Sequence, residues 1–274
     1  MKSRIIRIIP YLFTVVLIVV MTSNFKTALA GEEIDPSDPT KVYSYAGGGV
    51  KYNDYTNGEH MTELRATGNF ALSKSDMAMF EFGYGWHSGD KIEGSNSGFT
   101  NARLRWFHLF DMDYSVLKGY RGWATQVDLQ FAGELKGTDG QNTVSIGALP
   151  AFGISEDWST FIALNLVNSW DKKFEKYNGV GISIAPLLVY SPDYLWEGAY
   201  FQIWPNYTYF IGGELEGEGS GNLDITTGGP VTEIIMWSVA FQQNFDVDLK
   251  TYRRGEDTGI KNDWNVFFNI TRYF

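Results

Sequence analysis

Strict alternation between apolar and polar residues limits the fold of this chain more than any other feature. Residues 77–87 put Ala78, Phe80, Phe82, Tyr84 and Trp86 on one face of an extended strand, and Met79, Glu81, Gly83, Gly85 and His87 on the other. Residues 61–72 repeat the pattern, with Leu64, Ala66, Phe70 and Leu72 opposite Glu63, Arg65, Thr67 and Asn69. A period of two predicts β-strands with one apolar and one polar face.

Twelve segments are predicted to be strands of this kind. They are residues 41–52, 61–72, 77–87, 99–111, 123–134, 142–154, 158–170, 178–190, 199–211, 232–243, 247–253 and 264–274. Trp158 and Trp170 share a face at the two ends of one segment, which at about 3.3 Å per residue is roughly 40 Å long. If the strand is tilted by about 40°, its length along the membrane normal is roughly 30 Å, the thickness of the hydrocarbon layer of a bilayer. These lengths predict a membrane-spanning barrel with aromatic belts; the alternative is a soluble sandwich whose core holds the tryptophans.

Connection lengths also indicate a barrel, because such barrels alternate long loops with short turns. The longer connections are residues 53–59, 88–98, 136–141, 171–177, 212–230 and 255–262, and the shorter ones are 73–76, 155–157 and 244–246. Residues 112–121 and 191–197 fall on the short side, although both are long for turns. The predicted fold class is all-β, a transmembrane antiparallel up-and-down β-barrel of about twelve strands.

The first thirty residues have the pattern of an export signal. Lys2, Arg4 and Arg7 precede an apolar run over residues 8–21, and Ala28-Leu29-Ala30 provides small residues before Gly31. The apolar run is shorter than the roughly 20 residues that a spanning helix needs. We therefore expect residues 1–30 to be a cleaved signal peptide and residues 31–274 to form one barrel domain.

Composition narrows the possible partners and modes of anchoring. The chain has no cysteine, which excludes disulfides and a lipid-modified cysteine. Aromatic residues make up 16% of the chain, yet mean hydropathy is only -0.19. After residue 30 there is no apolar run long enough for a spanning helix, whereas spanning strands need only alternate residues apolar. A net charge of -10 and a pI near 4.8 argue against nucleic acid as a partner.

The final segment carries a resemblance to a known class of proteins. Trp264, Val266, Phe268, Ile270 and Phe274 share one face, and Asn265, Asn269 and Thr271 share the other. In this the chain resembles the Gram-negative outer-membrane β-barrel proteins, whose last strand ends in Phe after alternating apolar residues. The residue two before the end is usually aromatic in that class and is Arg272 here. The resemblance implies an outer-membrane location, contact with lipid, and recognition of the closing strand by the barrel-assembly machinery.

Polar residues on the inward faces of neighbouring strands are the candidates for function. The predicted pore-lining residues are Glu63, Arg65, Glu81, Arg103, Arg105 and Asp128, with Glu134 following on the same face. Opposed basic and acidic ladders suit a constriction that selects a small polar or zwitterionic solute. They also suit a structural barrel whose blocked lumen is filled by paired charges. On the later strands, Gln202, Trp204, Asn206 and Gln242 are expected to point inward as well.

Catalytic and metal chemistry have little support in the sequence. The chain contains three histidines, His60, His87 and His108, and no motif supplies a nucleophile and a third group to any of them. His87, followed by Ser88, leaves a rim-located lipid or ester hydrolase as an alternative. The acidic stretch at residues 214–218 lacks the pattern of a calcium loop. We therefore expect no cofactor, no metal and no enzymatic activity.

Three prolines inside predicted strands need a structural explanation. Pro150, Pro186 and Pro205 each remove an N–H from the ladder. They predict either β-bulges or a kink that shapes the wall or the lumen.

In size and strand count the chain is similar to small monomeric channels of the nucleoside-channel type. The sequence thus predicts a channel for passive diffusion of a small hydrophilic solute, with a structural or adhesive barrel of blocked lumen as the alternative.

Overall fold

Twelve antiparallel strands close into a barrel. A computed structural model describes residues 38–56, 58–88, 96–133, 135, 141–192, 198–247 and 262–274. Within these residues the strands are β1 (Tyr45–Tyr55), β2 (His60–Ala71), β3 (Asp76–His87), β4 (Ser97–Phe110), β5 (Gly119–Ala132), β6 (Asn142–Gly153), β7 (Trp158–Trp170), β8 (Tyr177–Tyr190), β9 (Tyr200–Gly213), β10 (Gly219–Thr232), β11 (Ile235–Val247) and β12 (Asn262–Tyr273). Each strand pairs with its neighbours in sequence, and β1 pairs with β12. The predicted fold class is confirmed.

The barrel has two distinct ends. The terminal end is where β1 begins and β12 finishes, and it also carries the two-residue connection between β10 and β11. The loop end is the opposite one, where β1 connects to β2. The predicted signal peptide lies outside the described residues. The described residues contain no helix long and apolar enough to cross a membrane.

The outer face of the wall is apolar and exposed. Phe70, Ile146, Leu166 and Ile182, on four different strands, are each more than half exposed. Monomeric proteins in water rarely expose such a continuous apolar surface. A closed wall with these side chains outside excludes the predicted alternative of a soluble sandwich with the large apolar residues in its core.

Aromatic pairs mark both ends of the outer surface. Trp158, at the start of β7, stacks on Tyr190 with ring centroids 4.5 Å apart, and Trp170, at the end of β7, lies 5.4 Å from Tyr177. At the terminal end, Phe110 also stacks on Trp123 at 4.4 Å. Such pairs at two levels of one wall have the arrangement of aromatic belts at the two interfaces of a bilayer.

One predicted loop is a strand, and this changes the end of the strand order. Residues 212–230, predicted as a long connection, contain most of β10, whose partners are β9 and β11. The predicted turn at 244–246 lies inside β11, and the predicted strand at 232–243 begins later, at Ile235. The predicted strand at 247–253 overlaps β11 at Val247, and its remainder lies outside the described residues.

The three prolines point outward, and each interrupts the pairing with one neighbouring strand. Pro186 falls opposite Pro205, because Ile184 pairs with Tyr207 and Leu188 pairs with Ile203 on either side of them. Neither proline can donate a ladder hydrogen bond. The pairing of β6 with β7 likewise skips Leu149 and Pro150 and resumes in register. No strand gains a residue at Pro186 or Pro205, so the predicted β-bulges are wrong at these two prolines. Beside Pro150, β5 gains one residue between Tyr120 and Gly122, opposite Phe152 and Ala151.

Candidate channel lumen

All six predicted pore-lining residues face one cavity inside the barrel. β2 supplies Glu63 and Arg65, β3 supplies Glu81, β4 supplies Arg103 and Arg105, and β5 supplies Asp128. The cavity has a volume of about 340 Å³ and opens toward the loop end; we call it the loop-side chamber. Residues two apart on a strand share a face, so alternation alone places these side chains inside.

Arg65 is the centre of an ion-pair network on the inner wall. Its Nε lies 2.7 Å from Glu63 Oε1, and its Nη1 lies 3.3 Å from Glu81 Oε2. The other oxygen of Glu81 lies 3.2 Å from Arg105 Nη2. Gly83 makes room for this network, since a Cβ there would lie 2.6 Å from Glu63 Oε1. Glu81 therefore joins two arginines on the strands to either side of it.

Arg103 and Asp128 form a separate, tighter pair. Arg103 Nε lies 2.9 Å from Asp128 Oδ1, and Nη2 lies 2.5 Å from Oδ2. This two-pronged geometry is the strongest form of an arginine–carboxylate contact. The six side chains thus bring three arginines against three carboxylates in a confined space. Their charges balance locally, although the whole chain is acidic.

The opposite side of the lumen carries amides and hydroxyls instead of ion pairs. Ser183 Oγ donates to Asn206 Oδ1 at 3.1 Å, and Asn265 Nδ2 donates to Gln242 Oε1 at 2.7 Å. Gln242 also donates to Asp224 at 3.2 Å. The loop-side chamber is therefore asymmetric, with the ion pairs on β2 to β5 and, on β7 to β12, amides and hydroxyls around the single carboxylate of Asp224. A solute in it meets hydrogen-bond donors and acceptors from every direction.

Toward the terminal end the inner wall becomes apolar. The buried inward side chains there are Met77, Phe107, Leu109, Ala124, Leu149, Ala151, Phe161, Ala163, Ala185, Leu187 and Val189, and Val42 packs among them. A second cavity of about 240 Å³ lies at this level; we call it the terminal chamber. Both chambers are lined by the same layer of residues, Glu81, Arg105, Gln126, Ala163, Ala185 and Trp204. The lumen therefore changes from polar to apolar across one layer.

Residues 38–44, before β1, close the terminal end of the lumen; we call them the N-terminal segment. Thr40 is fully buried, and Val42 and Tyr43 are each 7% exposed. The carbonyl of Tyr43 accepts a hydrogen bond of 2.7 Å from Asn69 Nδ2, and the carbonyl of Thr40 accepts one of 2.8 Å from Tyr114. The sequence pattern assigned residues 41–44 to the first strand, which is wrong because β1 begins at Tyr45.

The residues expected inward on the later strands lie inside the barrel. Trp204, Asn206 and Gln242 line the loop-side chamber, and Gln202 lines the terminal chamber. Glu134 lies outside the described residues. Asp224 and the N-terminal segment were missed. Asp224 fell in a predicted loop, and the segment alternates as a strand would, so neither gave a signal that distinguished it.

The serine that follows His87 in the chain is hydrogen-bonded to another residue. Ser88 Oγ donates to the carbonyl of His60 at 3.1 Å rather than to His87. At the terminal end, Asp76 accepts a hydrogen bond of 2.6 Å from Ser73 and lies 2.9 Å from His108 Nδ1. There the carboxylate sits between the hydroxyl and the imidazole, whereas activation of a nucleophile needs the imidazole in the middle. The described residues also contain no group of three acidic or histidine side chains placed to hold a metal.

Comparison with known proteins identifies the fold. No protein-family model and no curated protein matches the chain. Among solved structures, the COG4313 outer membrane channel from Pseudomonas putida F1 is similar with a TM-score of 0.56 and 12% identity, over 91% of this chain and 100% of that chain. The chain has the fold of a twelve-stranded outer-membrane barrel. A structure of the NanC porin is similar as well, with a TM-score of 0.52 and 8% identity over 83% of this chain and 99% of that chain.

Proposed function

We propose that the protein is a passive channel for a small hydrophilic solute in the outer membrane of a Gram-negative bacterium. The observation that carries this proposal is the balanced cluster of three arginines and three carboxylates inside a barrel with an apolar outer face. Opposed charges at close quarters, together with amides across the lumen, suit a polar solute that bears both signs of charge or none.

The size and the relatives of the fold favour a channel over a solid core. A barrel of twelve strands is intermediate between filled eight-stranded barrels and open porins of sixteen or more strands. The two similar solved structures are named a channel and a porin. Export through a signal peptide at residues 1–30, and recognition of β12 by the barrel-assembly machinery, belong to the same proposal. In that case the terminal end faces the periplasm.

A structural barrel with a blocked lumen is the second candidate, and the N-terminal segment favours it. Val42 and Tyr43 fill the terminal end, so passage along the axis requires this segment to move. Liposome swelling with small sugars and amino acids separates the two functions. A channel admits them faster than empty liposomes do, and a blocked barrel does not.

Reversing two lumen charges tests the position of the constriction. The double variant Arg103→Glu, Arg105→Glu changes the cluster from three arginines and three carboxylates to one arginine and five carboxylates. We expect a marked shift toward cation selectivity, because charge in a narrow, poorly screened lumen acts strongly on permeating ions. The reversal potential of single channels under a KCl gradient measures the shift.

Arg121→Glu is the matched control, because Arg121 lies outside both chambers and donates to the carbonyl of Val116 at 2.7 Å. It should leave the reversal potential at the native value. Heat-dependent migration on gels shows that each variant has folded. Unchanged selectivity in a folded double variant would place the constriction elsewhere and refute the assignment of these residues.

A further inference from the structure

The terminal chamber has walls unlike those of the loop-side chamber. On one side, Tyr43, Tyr45 and Tyr273 form an aromatic cluster with ring centroids 5.1 to 6.2 Å apart. On the other side, Phe107, Leu149 and Leu187 present apolar surface. A solute that needs hydrogen bonds over its whole surface gains little in such a chamber. A flat, apolar ring packs well against it.

The volume of the terminal chamber fits one ring with a short substituent. An apolar protein cavity of about 150 Å³ holds benzene. The terminal chamber, at about 240 Å³, leaves room for a few further atoms. The N-terminal segment forms its floor through Pro39, Lys41 and Tyr43. A ring that enters from the loop side therefore comes to rest on this floor.

Arg105 provides a positive group in the layer of residues that the two chambers share. Arg105 contacts Glu81 through Nη2 alone, at 3.2 Å, whereas Arg103 uses both Nε and Nη2 on Asp128. An arginine carries five N–H donors in a fixed fork that matches a carboxylate. Glu81 already accepts hydrogen bonds from Arg65 and Arg105. A solute with a cationic group therefore gains less binding energy at Glu81 than a solute with a carboxylate gains at Arg105.

We propose that the terminal chamber binds a small aromatic carboxylate, with its ring among Tyr45, Phe107 and Trp204 and its carboxylate on Arg105. This inference rests on the proposed channel function and names the class of its solute. The polar loop-side chamber admits the charged end, and the apolar terminal chamber holds the ring. The solute then bridges the layer at which the lumen changes character.

Calorimetric titration of the purified barrel in detergent tests this site with four probes. Benzoate has the ring and the anion, benzylamine has the ring and a cation, benzyl alcohol has the ring alone, and acetate has the anion alone. We expect benzoate to bind at least roughly tenfold more tightly than each of the other three, since a charge-assisted hydrogen bond and burial of a ring each contribute more than about 1.4 kcal/mol. Equal affinity for benzoate and benzyl alcohol, or for benzoate and acetate, would overturn the proposal.

Arg105→Gln tests the residue that holds the carboxylate. In this variant the preference of benzoate over benzyl alcohol should disappear while benzyl alcohol binds as before, because the ring contacts remain. Arg121→Gln removes an arginine outside both chambers and should keep the native preference. A folded Arg105→Gln variant that still prefers benzoate roughly tenfold would exclude Arg105 as the partner.

Binding and conduction can fail separately. Conductance without benzoate binding would leave the channel in place and overturn this inference. Benzoate binding with the predicted preferences, without conductance or liposome swelling, would support the site and refute the channel.

Discussion

The double variant Val42→Asp, Tyr43→Ser is expected to raise the single-channel conductance several-fold. Both side chains are 7% exposed in the terminal end of the lumen, and Val42 packs among the apolar residues of the inner wall. An aspartate at position 42 would be a buried charge without a partner. The N-terminal segment should therefore leave the lumen, and the terminal end should open. Recordings in planar bilayers measure the change.

The size of this effect follows from how weakly the N-terminal segment is held. Burial of a valine-sized side chain contributes about 1.5–3 kcal/mol, and each neutral hydrogen bond contributes about 0.5–1.5 kcal/mol. The contacts of Tyr43 with Asn69 and of Thr40 with Tyr114 are two such bonds. Ordering of the segment costs about 1–2 kcal/mol per residue and offsets much of this gain. Removing two anchoring side chains should consequently shift the equilibrium to the open state.

Val50→Asp is not a suitable comparison, because it would place a charge on the apolar outer face. Val50→Thr is the matched control, since Val50 is 46% exposed on β1 and touches neither chamber. It should keep the native conductance. If the Val42, Tyr43 variant folds and conducts no more than the Val50 control, the N-terminal segment does not limit the pore.

Gly49→Ala is expected to prevent closure of the barrel. Gly49 pairs with Asn269 in β12 and with Arg65 in β2. A Cβ at this position would lie 1.7 Å from the carbonyl oxygen of Phe268, which is backbone and cannot turn aside. β1 and β12 would have to separate along the seam that closes the wall. Unpaired backbone groups in hydrocarbon cost several kcal/mol each, so partial opening should not be tolerated.

Migration on gels before and after boiling measures the effect of Gly49→Ala. The native chain should show a compact form that shifts on boiling, and the variant should show only the unfolded form. Gly98→Ala is the matched control, because a Cβ at Gly98 would meet nothing nearer than Leu135 Cβ at 3.6 Å. A compact, heat-sensitive Gly49→Ala band would contradict the close approach of the two strands.

Alternation predicted the strands and their faces wherever the two faces differ clearly in size and polarity. On β2 to β5, the charged side chains of the six candidate residues alternate with large apolar side chains that face outward, so these six could be placed before their contacts were known. Their pairing could not be predicted. Whether Glu81 meets Arg65, Arg105 or both depends on strand register, which is set by the whole wall.

β10 could not be recognised because few large apolar side chains mark its outward face. Leu223 and Ile225 are too few to define that face. The segment is also rich in glycine and has acidic neighbours, as loops often do; its glycines include Gly219, Gly221, Gly228 and Gly229. Its strand conformation is supported by pairing with β9 and β11. The prediction for the N-terminal segment was wrong for a different reason. Residues 41–44 continue the alternation of β1 and were therefore assigned to that strand, although they are folded into the lumen.

Membrane fractionation tests the central claim most directly, namely that hydrocarbon covers the outer face of this barrel. The full chain, expressed in a Gram-negative host, should remain in the outer-membrane pellet after washing with alkaline carbonate and should dissolve only in detergent. Recovery of the folded chain from a detergent-free periplasmic extract, as a dissolved particle, would contradict the account.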